Sequence, residues 1–155
     1  MAGMDMGGAS AAAGPSAPAR MICGSEVRSD VQRILALDAL PDATPSWADR
    51  IYTCNYRLPV GPLVLSVQDA METDAGHRYF TGLRAQLGPT QPLRGLLGLG
   101  LPAYETNNGT VVFLKDGKTL TVDATHLPRA AGPDGQSRTE VAYAIAADVV
   151  ACWSE

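Results

Sequence analysis

The sequence lacks several patterns that would indicate a particular function. None of its apolar segments approaches the roughly 20 residues that a membrane-spanning helix requires. No two of its 12 lysines and arginines are adjacent, and the formal net charge is −4. Because phosphate binding requires a concentrated basic surface, we expect no nucleic-acid partner. The cysteines and histidines form no CxxC or HxxxH pair, which argues against a zinc site, and no catalytic motif is present. We therefore expect a protein without enzyme activity.

The first 20 residues have the composition of a flexible tether. They contain only Gly, Ala, Ser, Pro, Met, one Asp and one Arg. Such a segment buries too little apolar surface to offset the entropy lost on ordering. We therefore predict a disordered tether over residues 1–20 and a single α+β domain over residues 21–155.

The same tether suggests where the protein is located. Residues 1–6 have neither the basic start nor the apolar core of a signal peptide. Tethers of small residues nevertheless commonly follow the lipidated cysteine of bacterial lipoproteins. We therefore expect an exported protein, made with a signal peptide, that is a lipoprotein at the cell surface or anchored to the cell membrane. Its contact with the membrane would be only through an N-terminal lipid anchor.

Residues 51–67 read as a hairpin, and we expect it to seed the sheet. Apolar and polar residues alternate along 51–58, which is the period of a half-buried strand. A two-residue or a four-residue loop around Pro59–Pro62 gives the same parity. Either loop places Cys54 on the inward face, beside Leu65 or Val67.

The remaining periodicities predict the order α-ββ-α-βββ-α. Strands joined by short turns are antiparallel, so we expect a five-stranded antiparallel sheet with the helices on one face, a two-layer sandwich. Asp116-Gly117 is a hairpin signal, and Ser137 with Glu140 forms a capping-box pattern. The loops are expected around Pro41 and Pro45 and over residues 88–102. Helices are predicted over 25–37, 70–87 and 137–152, and strands over 51–58, 63–67, 103–106, 110–115 and 118–124.

The three cysteines predict one disulfide and one remaining thiol, which is the usual arrangement in an exported domain with an odd count. Cys23–Cys54 is the first choice, because it closes the first helix onto the first strand. The pairs Cys54–Cys152 and Cys23–Cys152 remain open, because the last helix can run beside the first one. The helical wheel of the last helix places Cys152 towards the core.

The methionines suggest a second function. Met4 and Met6 lie in the tail, and Met21 and Cys23 follow as Met-Ile-Cys. Thioethers on a flexible chain are suitable ligands for Cu(I), and they do not form disulfides in an oxidising compartment. The alternative hypothesis is therefore an extracytoplasmic copper-binding protein that uses Met4, Met6, Met21 and Cys23.

The cysteine pattern resembles a family of small actinobacterial cell-envelope lipoproteins of unknown function. The resemblance rests on Cys23-Gly-Ser-Glu-Val before a helix, Cys54-Asn-Tyr on a strand, and a final helix after a short sheet. It implies a PsbP-like α+β sandwich, a location in the cell envelope and an anchored N-terminus, and it implies no enzyme activity. We therefore expect a non-catalytic extracytoplasmic domain that binds a small ligand or a protein partner.

Overall fold

The computed structural model describes residues 14–94 and 98–153. These residues form four α-helices, a short 3-10 helix over Met21–Cys23, and seven strands. The helices are α1 (Ala17–Arg20), α2 (Ser25–Leu35), α3 (Thr73–Leu87) and α4 (Arg138–Cys152). The strands are β1 (Asp42–Ala48), β2 (Ile51–Leu58), β3 (Gly61–Asp69), β4 (Gln91–Pro92), β5 (Ala103–Glu105), β6 (Thr110–Lys115) and β7 (Lys118–Asp123).

All seven strands belong to one antiparallel sheet in the order β1-β2-β3-β7-β6-β5-β4. The α+β class is confirmed, but the prediction of five strands is wrong. The two missed strands, β1 and β4, are the edges of the sheet, and they contain Pro45 and Pro92. A proline has no N–H for a neighbouring strand, so it is tolerated at an edge and also discourages further strand pairing there.

The hairpin of residues 51–67 forms as the alternation predicts. Leu58 pairs with Gly61, which leaves a two-residue loop of Pro59 and Val60. Cys54 pairs with Leu65 and is completely buried. The inward direction of Cys54 is therefore confirmed.

The helices lie on both faces of the sheet, so the prediction of helices on one face is wrong. Helices α2 and α4 pack against each other and cover the face that carries Cys54. Helix α3 covers part of the opposite face, where the ring of Tyr104 lies 4.7 Å from the ring of Phe80. The Tyr104 hydroxyl also donates a 2.7 Å hydrogen bond to the Phe80 carbonyl. The main core is lined by Val27, Val31, Leu35, Cys54, Leu63, Leu65, Phe113, Leu120, Val122, Val141, Ile145 and Val149.

Helix α3 lies against the turn between β6 and β7. A Cβ atom at Gly76 would collide with the carbonyl oxygen of Gly117, the second residue of that turn. Asp116 and Gly117 have φ of 53° and 76°, which is the left-handed backbone that a tight Asp-Gly hairpin requires. Glycine at positions 76 and 117 therefore allows the backbone of α3 to approach the turn closely.

The ordered domain begins before residue 21. Residues 17–20, which the composition placed in a disordered tether, form α1, and Ala19 is fully buried. The backbone N–H of Ser16 donates to the Asp69 carboxylate at 2.7 Å, and the Trp153 indole N–H donates to the Pro18 carbonyl at 3.0 Å. These long-range contacts offset the low apolar content of the segment. Residues 1–13 lie outside the described residues.

Helix α2 begins at Ser25, as predicted, and ends two residues earlier than predicted. Its N-cap is Gly24. The helix ends at Leu35, because Ala36 takes the left-handed conformation (φ 53°) and the Leu37 N–H returns to the Gln32 carbonyl. The predicted capping box of α4 is present, with Ser137 as the N-cap.

Candidate functional site

Two adjoining cavities at the start of α4 form the candidate site, which we call the α4 cleft. One has a volume of about 550 Å³ and the other about 410 Å³. Glu105, Ser137 and Thr139 line both cavities, so the two are lobes of one cleft. The first lobe is also lined by Thr106, Asn107, Asn108, Arg129 and Arg138, and the second by Leu93, Glu140 and Tyr143.

One wall of the cleft is the turn between β5 and β6, and its hydrogen bonds fix its shape. The Thr106 hydroxyl donates to the side-chain oxygen of Asn108 at 2.7 Å and accepts from the Thr110 N–H at 3.1 Å. The Thr106 N–H in turn donates to the Thr110 carbonyl at 2.9 Å. The side-chain amide of Asn108 is thus held in the wall of the first lobe.

Gly109 allows the two walls to come together. Its φ is 119°, which disfavours any residue with a side chain. A Cβ atom there would also lie 3.1 Å from the carbonyl carbon of Ala124 and 3.1 Å from the Cγ atom of Arg138. The stem of Arg138 therefore lies directly over the backbone of this turn.

The opposite wall is the first turn of α4. The Ser137 hydroxyl accepts from the Glu140 N–H at 3.0 Å, and the Glu140 carboxylate accepts from the Ser137 N–H at 2.8 Å. The Arg138 N–H donates to the Arg129 carbonyl at 2.9 Å, and its guanidinium Nη1 donates to the Leu127 carbonyl at 2.9 Å. The loop that carries Arg129 is therefore tied to the start of the helix.

The charged side chains of the cleft differ in how many hydrogen bonds they already make within the protein. Arg129 has an exposed side chain, and among the described residues its guanidinium makes no hydrogen bond or ion pair. Arg138 uses one of its five donors on Leu127. Burial raises the pKa of the Glu105 carboxyl, which favours its neutral form. The carboxylate of Glu140 is occupied in the capping box.

The second lobe is less polar. Leu93 is only 8% exposed, and Tyr143 is half-buried. The Tyr143 ring lies 6.0 Å from the ring of Phe113 in a tilted arrangement, which holds it against the core. The cleft therefore combines a lobe lined by two arginines and two asparagines with a lobe to which Leu93 and Tyr143 add apolar surface.

The predicted disulfide lies away from this cleft. Cys23 and Cys54 are bonded, with Cα atoms 5.5 Å apart, so the disulfide is present and the first choice of pairing is correct. Cys152 is outside that bond and is half-buried at the end of α4. The prediction that it faces the core holds only in part, because Cys152 is partly exposed whereas Val149 and Val150 are buried.

The described part of the structure does not place the predicted copper ligands together. Met4 and Met6 lie outside those residues, and Met21 is half-buried in the 3-10 helix. The sulfur atom of Cys23 is bonded to the sulfur atom of Cys54, so Cys23 has no thiolate to offer a metal. Within residues 14–94 and 98–153, no group of three or more His, Cys, Asp or Glu side chains is placed to hold a metal ion. Copper binding by the tail stays a prediction.

The cleft residues were not recognised from the sequence, although two local signals mark its walls. Residues 107–109 lie between two predicted strands, and Ser137 with Glu140 forms the predicted capping box. Neither pattern shows that these segments face each other, since they are about thirty residues apart in the chain.

The comparisons with known proteins leave the family open. No protein-family model matches the chain, and the searches of curated proteins and of solved structures found no match. The resemblance to actinobacterial envelope lipoproteins therefore stays a prediction. Among the described residues, no helix has the length and apolar character needed to cross a bilayer.

Proposed function

We propose that this protein is a non-catalytic, extracytoplasmic binding domain of the lipoprotein type, and that its ligand occupies the α4 cleft. The observation that carries the proposal is the shape and chemistry of that cleft. Its two lobes, of about 550 and 410 Å³, are in the range of small-molecule sites in proteins. Polar groups at one end and apolar groups at the other are the arrangement by which such sites orient a ligand.

The rigidity of the walls supports a binding role. The hydrogen bonds of Thr106 fix one wall, and the capping box of Ser137 and Glu140 fixes the other. A preformed site loses less side-chain entropy when a ligand binds than a site that must first become ordered.

The hydrogen bonds that the cleft side chains already make support a non-catalytic role. The Ser137 hydroxyl and the Glu140 carboxylate each accept a backbone N–H of the capping box. The described residues that line the two lobes include no histidine or cysteine, the commonest base and the strongest nucleophile among side chains. The remaining polar groups are suited to hydrogen bonding.

The disulfide supports an extracytoplasmic location. Structural disulfides persist in oxidising compartments and are rare in the reducing cytosol. Cys23–Cys54 joins the segment before α2 to strand β2 of the sheet. A tether that is pulled from its N-terminal end would therefore act on a covalently closed domain.

The binding role is tested by a fragment screen on the ¹⁵N-labelled full chain. We expect some fragments to shift the amide resonances of residues 105–109 and 137–140 and to leave those of β1 and β2 unchanged. Hits that cluster elsewhere on the domain, or a library without hits, would contradict the proposed site.

The location is tested separately by fractionating cells that express the protein and detecting it with an antibody. We expect it in the envelope or extracellular fraction, with one thiol per chain. A cytosolic protein with three thiols would rule out the extracytoplasmic part of the proposal.

A further inference from the structure

We infer that the α4 cleft binds an amphipathic monoanion, with its carboxylate at Arg129 and Arg138 and an apolar or aromatic tail at Leu93 and Tyr143. This inference rests on the proposed function and adds the chemical class of the ligand. It follows from the distribution of charge and apolar surface along the cleft, one lobe after the other.

The first lobe offers donors that the protein itself does not use. The guanidinium of Arg129 makes no hydrogen bond or ion pair among the described residues. The Arg138 guanidinium gives only Nη1 to Leu127, and its stem is fixed over Gly109. A guanidinium presents its remaining N–H groups as a fork that matches a carboxylate.

Of the two acidic groups of the cleft, one lines only the lobe away from the arginines and the other is partly buried. Glu140 lies in the second lobe, and its carboxylate accepts the Ser137 N–H of the capping box. Glu105 lies between the lobes, and partial burial raises the pKa of its carboxyl. A protonated Glu105 can donate a hydrogen bond to an anion, whereas an ionised one would repel it.

The second lobe selects against a fully polar ligand. Leu93 is almost completely buried, and Tyr143 is held beside Phe113 in the core. With a volume of about 410 Å³, this lobe accommodates one ring or a short alkyl chain. A simple inorganic anion would leave the apolar surface of Leu93 and Tyr143 without a partner, so the tail is part of the recognition.

The test uses 3-phenylpropanoate as the probe, titrated into the ¹⁵N-labelled full chain. Two analogues test the charge and the ring separately. The first, 3-phenylpropanamide, keeps the shape without the charge, and the second, propanoate, keeps the charge without the ring. We expect 3-phenylpropanoate to bind more tightly than either analogue and to shift the amides of residues 105–109 and 137–140.

Variants locate the carboxylate. We expect Arg129→Gln to weaken binding of 3-phenylpropanoate about tenfold, which is the effect of losing one hydrogen bond to a charged group. Arg57→Gln is the matched control, because Arg57 is an exposed arginine on β2, outside the cleft. Arg138→Gln is expected to act in the same direction as Arg129→Gln. If Arg138→Gln unfolds the protein through loss of its bond to Leu127, Arg129→Gln alone decides the question.

The outcomes separate this inference from the proposed function. If 3-phenylpropanamide binds as tightly as 3-phenylpropanoate, or if Arg129→Gln has no effect, the carboxylate inference is wrong while binding in the cleft stands. If propanoate binds as tightly as 3-phenylpropanoate, the apolar tail is wrong. If none of the three compounds, and no fragment of the screen, shifts the cleft amides, the inference and the proposed function both fail.

Discussion

The hydroxyl of Tyr56 donates a 2.6 Å hydrogen bond to the carbonyl oxygen of Ile22. Both residues are completely buried, and each is within two positions of a cysteine of the disulfide. The bond explains how the N-terminal segment is held to the sheet without a strand of its own. Burial raises the pKa of the Tyr56 phenol far above its ordinary value, so the hydroxyl remains a donor at physiological pH.

The Tyr56→Phe substitution is expected to lower the free energy of unfolding by about 1–3 kcal/mol, because it leaves the buried Ile22 carbonyl without that donor. The loss is measured by urea denaturation. Tyr52→Phe is the control, since Tyr52 lies on the same strand but is half-buried. Equal losses for the two variants would show that the hydrogen bond is not the cause.

The disulfide is expected to stabilise the fold by about 2–4 kcal/mol, because it closes a loop between residues 31 positions apart. The double variant Cys23→Ser/Cys54→Ser should lose this stability and become insensitive to reductant. The intact protein in denaturant should titrate with one thiol per chain before reduction and three after it. Three thiols before reduction would contradict the bond.

Two glycines of α3 make a matched pair. Alanine is favoured over glycine in a helix by about 1 kcal/mol, and a Cβ at Gly82 would meet no atom within 4 Å, so Gly82→Ala should stabilise the protein. A Cβ at Gly76 would collide with the Gly117 carbonyl, so Gly76→Ala should be destabilising by about 1–3 kcal/mol despite the same helical gain. Thermal unfolding midpoints check the opposite signs. A stabilising Gly76→Ala would mean that α3 does not rest on the β6–β7 turn.

Anion binding in the cleft is expected to weaken as the pH rises through the pKa of Glu105. That pKa is raised by burial, so ionisation above the ordinary glutamate range adds a negative charge beside Arg129 and Arg138. The probe is 2-phenylethanesulfonate, which stays ionised and does not itself titrate in this range. Glu105→Gln should remove this pH dependence, whereas Glu140→Gln should retain it.

The stability should change in the same pH window. Because the folded-state pKa of Glu105 is higher than its unfolded value, the folded protein holds this proton longer. The contribution of Glu105 to the free energy of unfolding is therefore present below the ordinary pKa of a glutamate. It is lost as the pH rises through the raised pKa of the folded protein. A pH profile of Glu105→Gln identical to that of the wild type would assign the effect to another group.

Local patterns were sufficient for much of the fold. The alternation around Cys54, the Asp116-Gly117 turn and the capping box of Ser137 each depend on residues close in the chain, and each forms as predicted. The edge strand β1 was missed because Pro45 reads as a loop residue until its position at the edge of a sheet is known. Helix α1 was missed because its four residues are stabilised by partners as distant as Trp153.

By itself, the sequence determined the α+β class, the direction of Cys54 and the existence of one disulfide, because strand parity and helix caps are set by neighbouring residues. It left the partner of Cys54 open, with Cys23 only the first choice. Only the tertiary structure decided which cysteine pairs with Cys54, which face of the sheet α3 covers and where the cleft lies. Glu105 and Thr139 line the same cleft because α4 packs on β6 and β7, and β6 pairs with β5. That proximity depends on the packing of whole elements, and no local pattern encodes it.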